Sequence, residues 1–255
     1  MLVLGIILAR LKIEWKEALC AARRFWDAGA FKAAFTLNGN ILIRSCATML
    51  VMTIFTASSS AMGTVILTEN ALLLQVVLFC AYIFEAIGFA TETLGGFFKG
   101  QQASERLLPL LQVTVGSGIL VGVIFAFVCV LFPTKVFGLL TNHAEVKELL
   151  PIYVPWLLSV LGFASVIVIL DGYFAGLAEG KALRNAALSA VMLGFAPLAG
   201  VAWHSHNNHI LWLAMSVWVA TRALVLGVQV QKTLKDEPAV VAEQLPDSRL
   251  GASRG

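Results

Sequence analysis

Charged side chains are scarce in this sequence. Asp, Glu, Lys and Arg together make up 13% of its 255 residues, hydrophobic residues make up 59%, and the mean hydropathy is +0.85. A water-soluble domain cannot hide that much apolar surface, so a soluble globular protein is excluded. A strong excess of one sign is also lacking, and a net charge of +3 is too small for a nucleic-acid partner. Cysteine is sparse: Cys20, Cys46, Cys80 and Cys129 show no metal-ligand spacing, and three of them lie in apolar runs. Such thiols behave as small hydrophobes, so reduced cysteines and no disulfide are expected. No Walker-type glycine loop and no nucleophile, acid and base constellation is present, which argues against an enzyme or a nucleotide hydrolase and points to no cofactor.

What the sequence does have is six long apolar runs, near 38–62, 65–95, 108–132, 149–178, 182–203 and 209–231. A hydrocarbon layer of roughly 30 Å takes about 20 helical residues to cross, so each run predicts a transmembrane helix and the lipid bilayer is the first partner. The fold class expected is all-α, a polytopic six-helix bundle over residues 36–232. The opening segment 1–10 is apolar, but its charges, Arg10 and Lys12, follow the apolar stretch instead of preceding it. That order is the reverse of a secretory signal, and it reads as the end of a truncated preceding helix. Residues 11–35 are charged and aromatic with helical periodicity, as expected of an amphipathic cytoplasmic linker on the membrane surface. Residues 233–255 have no apolar face to bury and are expected to form a disordered cytoplasmic tail.

The basic residues partition sharply on this layout. One side receives Arg10, Lys12, Lys16, Arg23, Arg24, Lys32, Lys99, Arg106, Lys181, Arg184, Lys232, Lys235, Arg249 and Arg254, and the other only Lys135 and Lys147. This positive-inside asymmetry predicts cytoplasmic termini and an even helix count. Glycines four apart, Gly118 with Gly122 and Gly172 with Gly176 and Gly180, predict close helix packing, and Pro155 and Pro197 are candidate bend points.

Four ionisable residues lie inside the apolar runs: Arg44, Glu85, Asp171 and Arg222. Counted from the expected cytoplasmic helix ends, all four are roughly 9–15 Å deep, in one layer of the membrane. An intramembrane charge is costly, so it is expected to face a partner or a cavity. Two acids and two bases in one layer predict a balanced network, with Arg44 and Arg222 as charge partners of Glu85 and Asp171. A carboxylate in a low-dielectric cavity can bind and release a proton, which makes Glu85 and Asp171 the candidates for substrate or proton binding. Glu92 shares the helix face of Glu85, seven residues on, nearer the headgroups. His204, His206 and His209 cluster in the short loop before the last run, but no carboxylate or cysteine accompanies them, so solvated imidazoles are expected and not a metal site.

Several segments resemble one family in order along the chain: LNGNILIRS at 37–45, TENALLLQ at 68–75, AYIFEAIGFATETLGG at 81–96, DGYFAGLAEGKALRN at 171–185 and NHILWLAMSVWVATRAL at 208–224. They are similar to the seventh to twelfth helices of the MATE (multidrug and toxic compound extrusion) transporters, in the branch named after the DNA-damage-inducible protein F. That branch more often has Asp at the position of Glu85. The resemblance implies a twelve-helix architecture in two lobes around a central cavity, of which this sequence matches the second. It implies cation-coupled export of organic cations or other small amphipathic solutes by alternating access, driven by protons or sodium, in a bacterial inner membrane or a plastid membrane. Glu85, Asp171, Asn70 and Glu92 become the expected solute or proton contacts, with Asn70 supplying a hydrogen bond near the outer end. It also implies a six-helix first lobe as partner, and two alternatives stand beside the antiporter: a flippase for lipid-linked substrates, or a non-transporting membrane fragment that needs that lobe.

Overall fold

The structure is a computed structural model that describes residues 28–138 and 150–243. The chain divides into two units, Met1–Gly39 and Asn40–Gly255. Of the first, residues 28–39 are described and are helical, with Thr36 bonding back to the Lys32 carbonyl. The expectations for residues 1–10, for 11–27 and for the end of the tail lie outside the described residues.

Among the described residues there is no strand. The helices are α1 (Ala28–Ala61), α2 (Thr64–Gly100), α3 (Leu107–Leu131) after a 3₁₀ turn at Ser104–Arg106, the short α4 (Pro133–Gly138), α5 (Trp156–Gly176), α6 (Gly180–Ser189), a π-helical segment at Ala190–Phe195, α7 (Ala196–Ser205) and α8 (Asn208–Glu243). Six stretches are long and apolar enough to span a membrane: Ala34–Ala61, Thr64–Gly100, Ser104–Leu131, Trp156–Gly176, Gly180–Ser205 and Asn208–Thr233. They match the six predicted runs within a few residues, except that the fourth is shorter. Pro155 accounts for this: the chain is helical at 150–153, turns at 154–155 and resumes as α5 at Trp156, so the proline interrupts the helical run there. At its other boundary α8 stays helical to Glu243, past residue 232, where the disordered tail was expected to begin.

Polarity in this bundle is inverted relative to a soluble protein. Leu42, Phe79, Val113, Leu120, Ile124, Met192, Leu193 and Leu224 face outward, whereas Asn40, Ser59, Glu69, Asn70, Ser165, Asn208 and Arg222 are buried. An apolar solvent removes the penalty on exposed leucine and places it on unpaired polar groups, which therefore turn inward. The core still contains large apolar groups, with Phe55, Phe84, Tyr173, Phe195 and Trp212 fully buried.

The hub is α5, which packs against α2, α3, α6 and α8. Its glycines explain how it approaches so many neighbours. A Cβ on Gly172 would collide with the Gly88 carbonyl oxygen of α2, and one on Gly176 with that of Glu92. From α3, a Cβ on Gly118 would strike Ile169, and one on Gly122 would come within 3.0 Å of the Leu161 carbonyl. Helix association in lipid depends on van der Waals fit, so these contacts confirm the packing role read from the glycine spacing. Pro197 does mark an irregularity. It lies in the first turn of α7, directly after the π-helical segment, where its missing N–H leaves a backbone carbonyl to be accommodated by the wider turn. Gly194 in that segment lets α8 close in, with the Val217 carbonyl and Trp218 Cα 3.2 Å from where its Cβ would be.

The helix reversals define two ends of the bundle. One end carries the α1 to α2 turn at Gly63, whose φ of 113° favours glycine, and the α7 to α8 turn at His206 and Asn207. The other carries the turns after α2 and after α5, with Gln102 and Ala178 at positive φ.

Candidate functional site

Toward the Ala178 end, α1, α2, α5 and α8 surround an open cleft of about 560 Å³. Five of the six predicted site residues line it: Arg44 of α1, Glu85 and Glu92 of α2, Asp171 of α5 and Arg222 of α8. The helix periods account for the grouping. Glu85, Gly88 and Glu92 lie at three- and four-residue steps along one face of α2, and Gly88 is where α5 touches. Asp171 directly precedes Gly172, the residue of α5 in that contact, so the glycine pair delivers the carboxylate to the rim of the cleft.

The charges do not pair as two acids with two bases. Both guanidiniums converge on one oxygen: Asp171 Oδ2 accepts from Arg44 Nη1 at 2.8 Å and from Arg222 Nη2 at 2.6 Å. Arg222 is buried and also donates to Thr48 Oγ1 at 3.4 Å, while Arg44 is partly exposed. Asp171 Oδ1 and Arg222 Nε are buried and have no hydrogen-bond partner among the described residues. A charge-assisted trio of this kind ties α1, α5 and α8 together with spare capacity at its centre. Glu85 is exposed to the cleft and forms no ion pair among the described residues, so in this conformation both arginines serve Asp171 and neither serves Glu85. Depth alone made Glu85 and Asp171 equivalent, but the rotation of α5 and α8 hands both arginines to Asp171. The five side chains carry two positive and three negative charges, and the carboxylates left over face the open space.

Asn70 lies elsewhere, at the Gly63 end, and its hydrogen bonds go to the protein itself. Its Nδ2 donates to Ser59 Oγ at 2.7 Å and to Asn208 Oδ1 at 2.8 Å, while its Oδ1 accepts from Asn208 Nδ2 at 3.1 Å and Trp212 Nε1 at 2.8 Å. An amide with two donors and two acceptor positions has nothing left to offer a solute. Trp212 also meets Phe55 edge-on, ring centroids 5.2 Å apart, so α1, α2 and α8 are clamped by an interlocked amide pair with an aromatic lid.

The histidine loop has ordinary structural work. His206 takes the left-handed conformation that ends α7, and Asn207 caps α8 through its Oδ1, which accepts from the backbone N–H of His209 at 2.9 Å. His209 packs on Tyr153, and its Nδ1 accepts from Trp156 Nε1 at 3.3 Å. Among the described residues no group of three or more His, Cys, Asp or Glu side chains could hold a metal. Cys46, Cys80 and Cys129 are free thiols.

Sequence reasoning missed four participants. Asn40 accepts from Arg184 Nη1 at 3.1 Å, tying α1 to α6, and Lys99 donates to the carbonyl of Leu177, the C-cap of α5, 2.6 Å away. Asn208 was read only as the opening residue of the last helix, with no role of its own. Glu69, with no exposure at all, was passed over because it lies near the start of its helix.

A bundle of six spanning helices, apolar outside and ionic within, defines an integral membrane protein with a polar cleft between its helices. The MatE family model matches residues 41–199, and the chain belongs to that family. It is 28% identical over 233 residues to the DNA damage-inducible protein F of Escherichia coli strain K12, an alignment covering 89% of this chain and 49% of that protein. Its fold is similar to the Vibrio cholerae MATE transporter VcmN, whose crystal structure in the bent form superposes with a TM-score of 0.75 at 16% identity, covering 86% of this chain and 52% of that one. The chain thus spans about half the length of the relatives it matches.

Proposed function

We propose that this chain is the second lobe of a secondary antiporter that exports organic cations or other small amphipathic solutes, coupled to proton or sodium entry. The observation that carries this reading is the cleft at Arg44, Glu85, Glu92, Asp171 and Arg222. Its volume suits a small ligand, its walls are largely apolar, and its surplus charge is negative, the complement of an amphipathic cation. Glu85 and Glu92 are the solute or proton contacts, and Asp171 organises the lobe through its two arginines. A lipid-linked anionic substrate fits less well, because both cleft guanidiniums are already committed to Asp171. In the complete transporter a first lobe faces this cleft, and alternating access rocks the two lobes about it. The fourteen-to-two partition of basic residues supports cytoplasmic termini for this lobe.

The test is reconstitution into liposomes with imposed proton or sodium gradients, for this chain alone and together with a first lobe of the same family. Uptake of a fluorescent organic cation that needs a gradient and is lost in Glu85→Gln is the expected result. Gradient-independent leakage, or no uptake in either form, overturns the reading.

A further inference from the structure

At the Gly63 end one carboxylate takes part in none of the contacts above. Glu69 lies one turn inside α2, its exposure is 0%, and neither oxygen has a hydrogen-bond partner among the described residues, although its neighbour Asn70 is fully bonded. Toward the same end α1 carries Ser58, whose buried hydroxyl is equally without a partner, and Ser59, which is bonded to Asn70 beside Glu69. The segment before α5 supplies Tyr153, and α8 supplies Asn208 with His209 beyond it. Burial, joined by Glu69 whenever that carboxylate is ionised, pushes the Tyr153 hydroxyl up from its ordinary value, while its bond with Asn208 opposes this, so Tyr153 remains a neutral donor. Among the described residues, the other titratable groups at this end are His204 and His206 at the α7 to α8 turn and the exposed Lys135 of α4. None of these forms an ion pair with Glu69 among the described residues.

An ionised carboxylate in such a place must find a counter-charge, draw in water or take up a proton, because the cost of leaving it buried and unpaired exceeds what a few neutral interhelical hydrogen bonds hold together. We propose that Glu69 is a proton-binding site separate from the cleft, neutral while the Gly63 end is closed, and that loss of its proton opens the Asn70 to Asn208 clamp. The coupling is local. The seam that would have to admit water to an ionised Glu69 is the one formed by α1, α2 and α8, and the residue next to Glu69 is the one that seals it. The chemistry is a proton exchanged with solvent, with no other reactant.

The full chain in lipid nanodiscs provides the test, with no need for transport, so its failure is distinct from failure of the antiporter reading. Infrared difference spectra across a pH titration should contain a protonated carboxylic-acid carbonyl band that vanishes in Glu69→Gln and persists in Glu85→Gln. In the same range, intrinsic-rate-corrected hydrogen exchange over residues 58–70 and 207–213 should rise at least tenfold with pH in the wild type and stay low in Glu69→Gln. If Glu69→Gln does not fold, Glu69→Asp must keep the band at a displaced frequency. A spectrum without a Glu69-dependent band, exchange that ignores pH in the wild type, or a response to sodium at constant pH instead of to protons, overturns the proposal.

Discussion

At the Ala178 end Asp171 holds two guanidiniums beside a cleft that stays open, whereas at the Gly63 end Asn70, Asn208, Ser59 and Trp212 close on one another through neutral hydrogen bonds. Both devices join α1 to α8, the trio through α5 and the clamp through α2. They differ in what they tolerate nearby. An ionic trio with unused positions on Asp171 and Arg222 is at ease beside a wet space, and a saturated amide pair excludes one. The contrast assigns access to one end and closure to the other.

The strongest way to break that comparison is to remove the anion at the centre of the trio. Asp171→Asn leaves Arg44 and the buried Arg222 facing each other without a counter-charge. Loss of one partner from a buried ionic cluster costs about 3–5 kcal/mol, and the partial exposure of Arg44 places the effect toward the lower figure. Denaturant unfolding of the purified chain in detergent should register it, and Arg44→Gln added to Asp171→Asn should recover part of the loss. Equal stability of Asp171→Asn and wild type would show that the trio does not hold the helices, and the two ends would no longer differ in kind.

The trio was half legible in the sequence. Arg44, Asp171 and Arg222 stand out because lipid makes a charge inside an apolar run conspicuous, and that signal survives without any knowledge of packing. Which arginine serves which carboxylate was not legible, because depth along a helix follows from counting but rotation about its axis follows from contacts such as Gly88 on Gly172. The six spans were readable for the same reason as the charges. The π-helical turn before Pro197 was not, since proline announces an irregularity without specifying its form. Asn208 and Glu69 were missed for a shared reason: polar residues in the first two turns of a helix resemble caps or headgroup contacts. Here Asn207 is the cap, and the next polar residue faces inward.

A smaller effect sharpens the comparison at the other end. Asn70→Ala strips partners from Ser59, Asn208 and Trp212, and interhelical hydrogen bonds in membrane proteins average about 0.6 kcal/mol each, so a loss of about 2 kcal/mol is expected. Because no ion is involved, that loss should be the same at low and high salt, whereas the partly exposed Arg44 to Asp171 pair should weaken as salt rises. Unfolding series at two ionic strengths separate the two. A salt-dependent penalty for Asn70→Ala would mean that the clamp works through a charge, with Glu69 next door the first suspect.

The smallest change in stability, and the most discriminating one for function, belongs to Glu85. It lies on the cleft without an ion pair, so Glu85→Gln removes no bond that holds helices together, and its unfolding free energy should stay within about 0.5 kcal/mol of wild type. A carboxylate that meets an organic cation contributes a charge-assisted contact, and its loss should weaken binding by about tenfold or more. Fluorescence anisotropy of a cationic dye against the chain in detergent measures this beside the unfolding series. Weak binding with unchanged stability separates Glu85 from Asp171 as a ligand contact from a structural one. Destabilisation matching that of Asp171→Asn, with binding untouched, would place both carboxylates in the scaffold and leave the open end of the bundle without a charge to offer its solute.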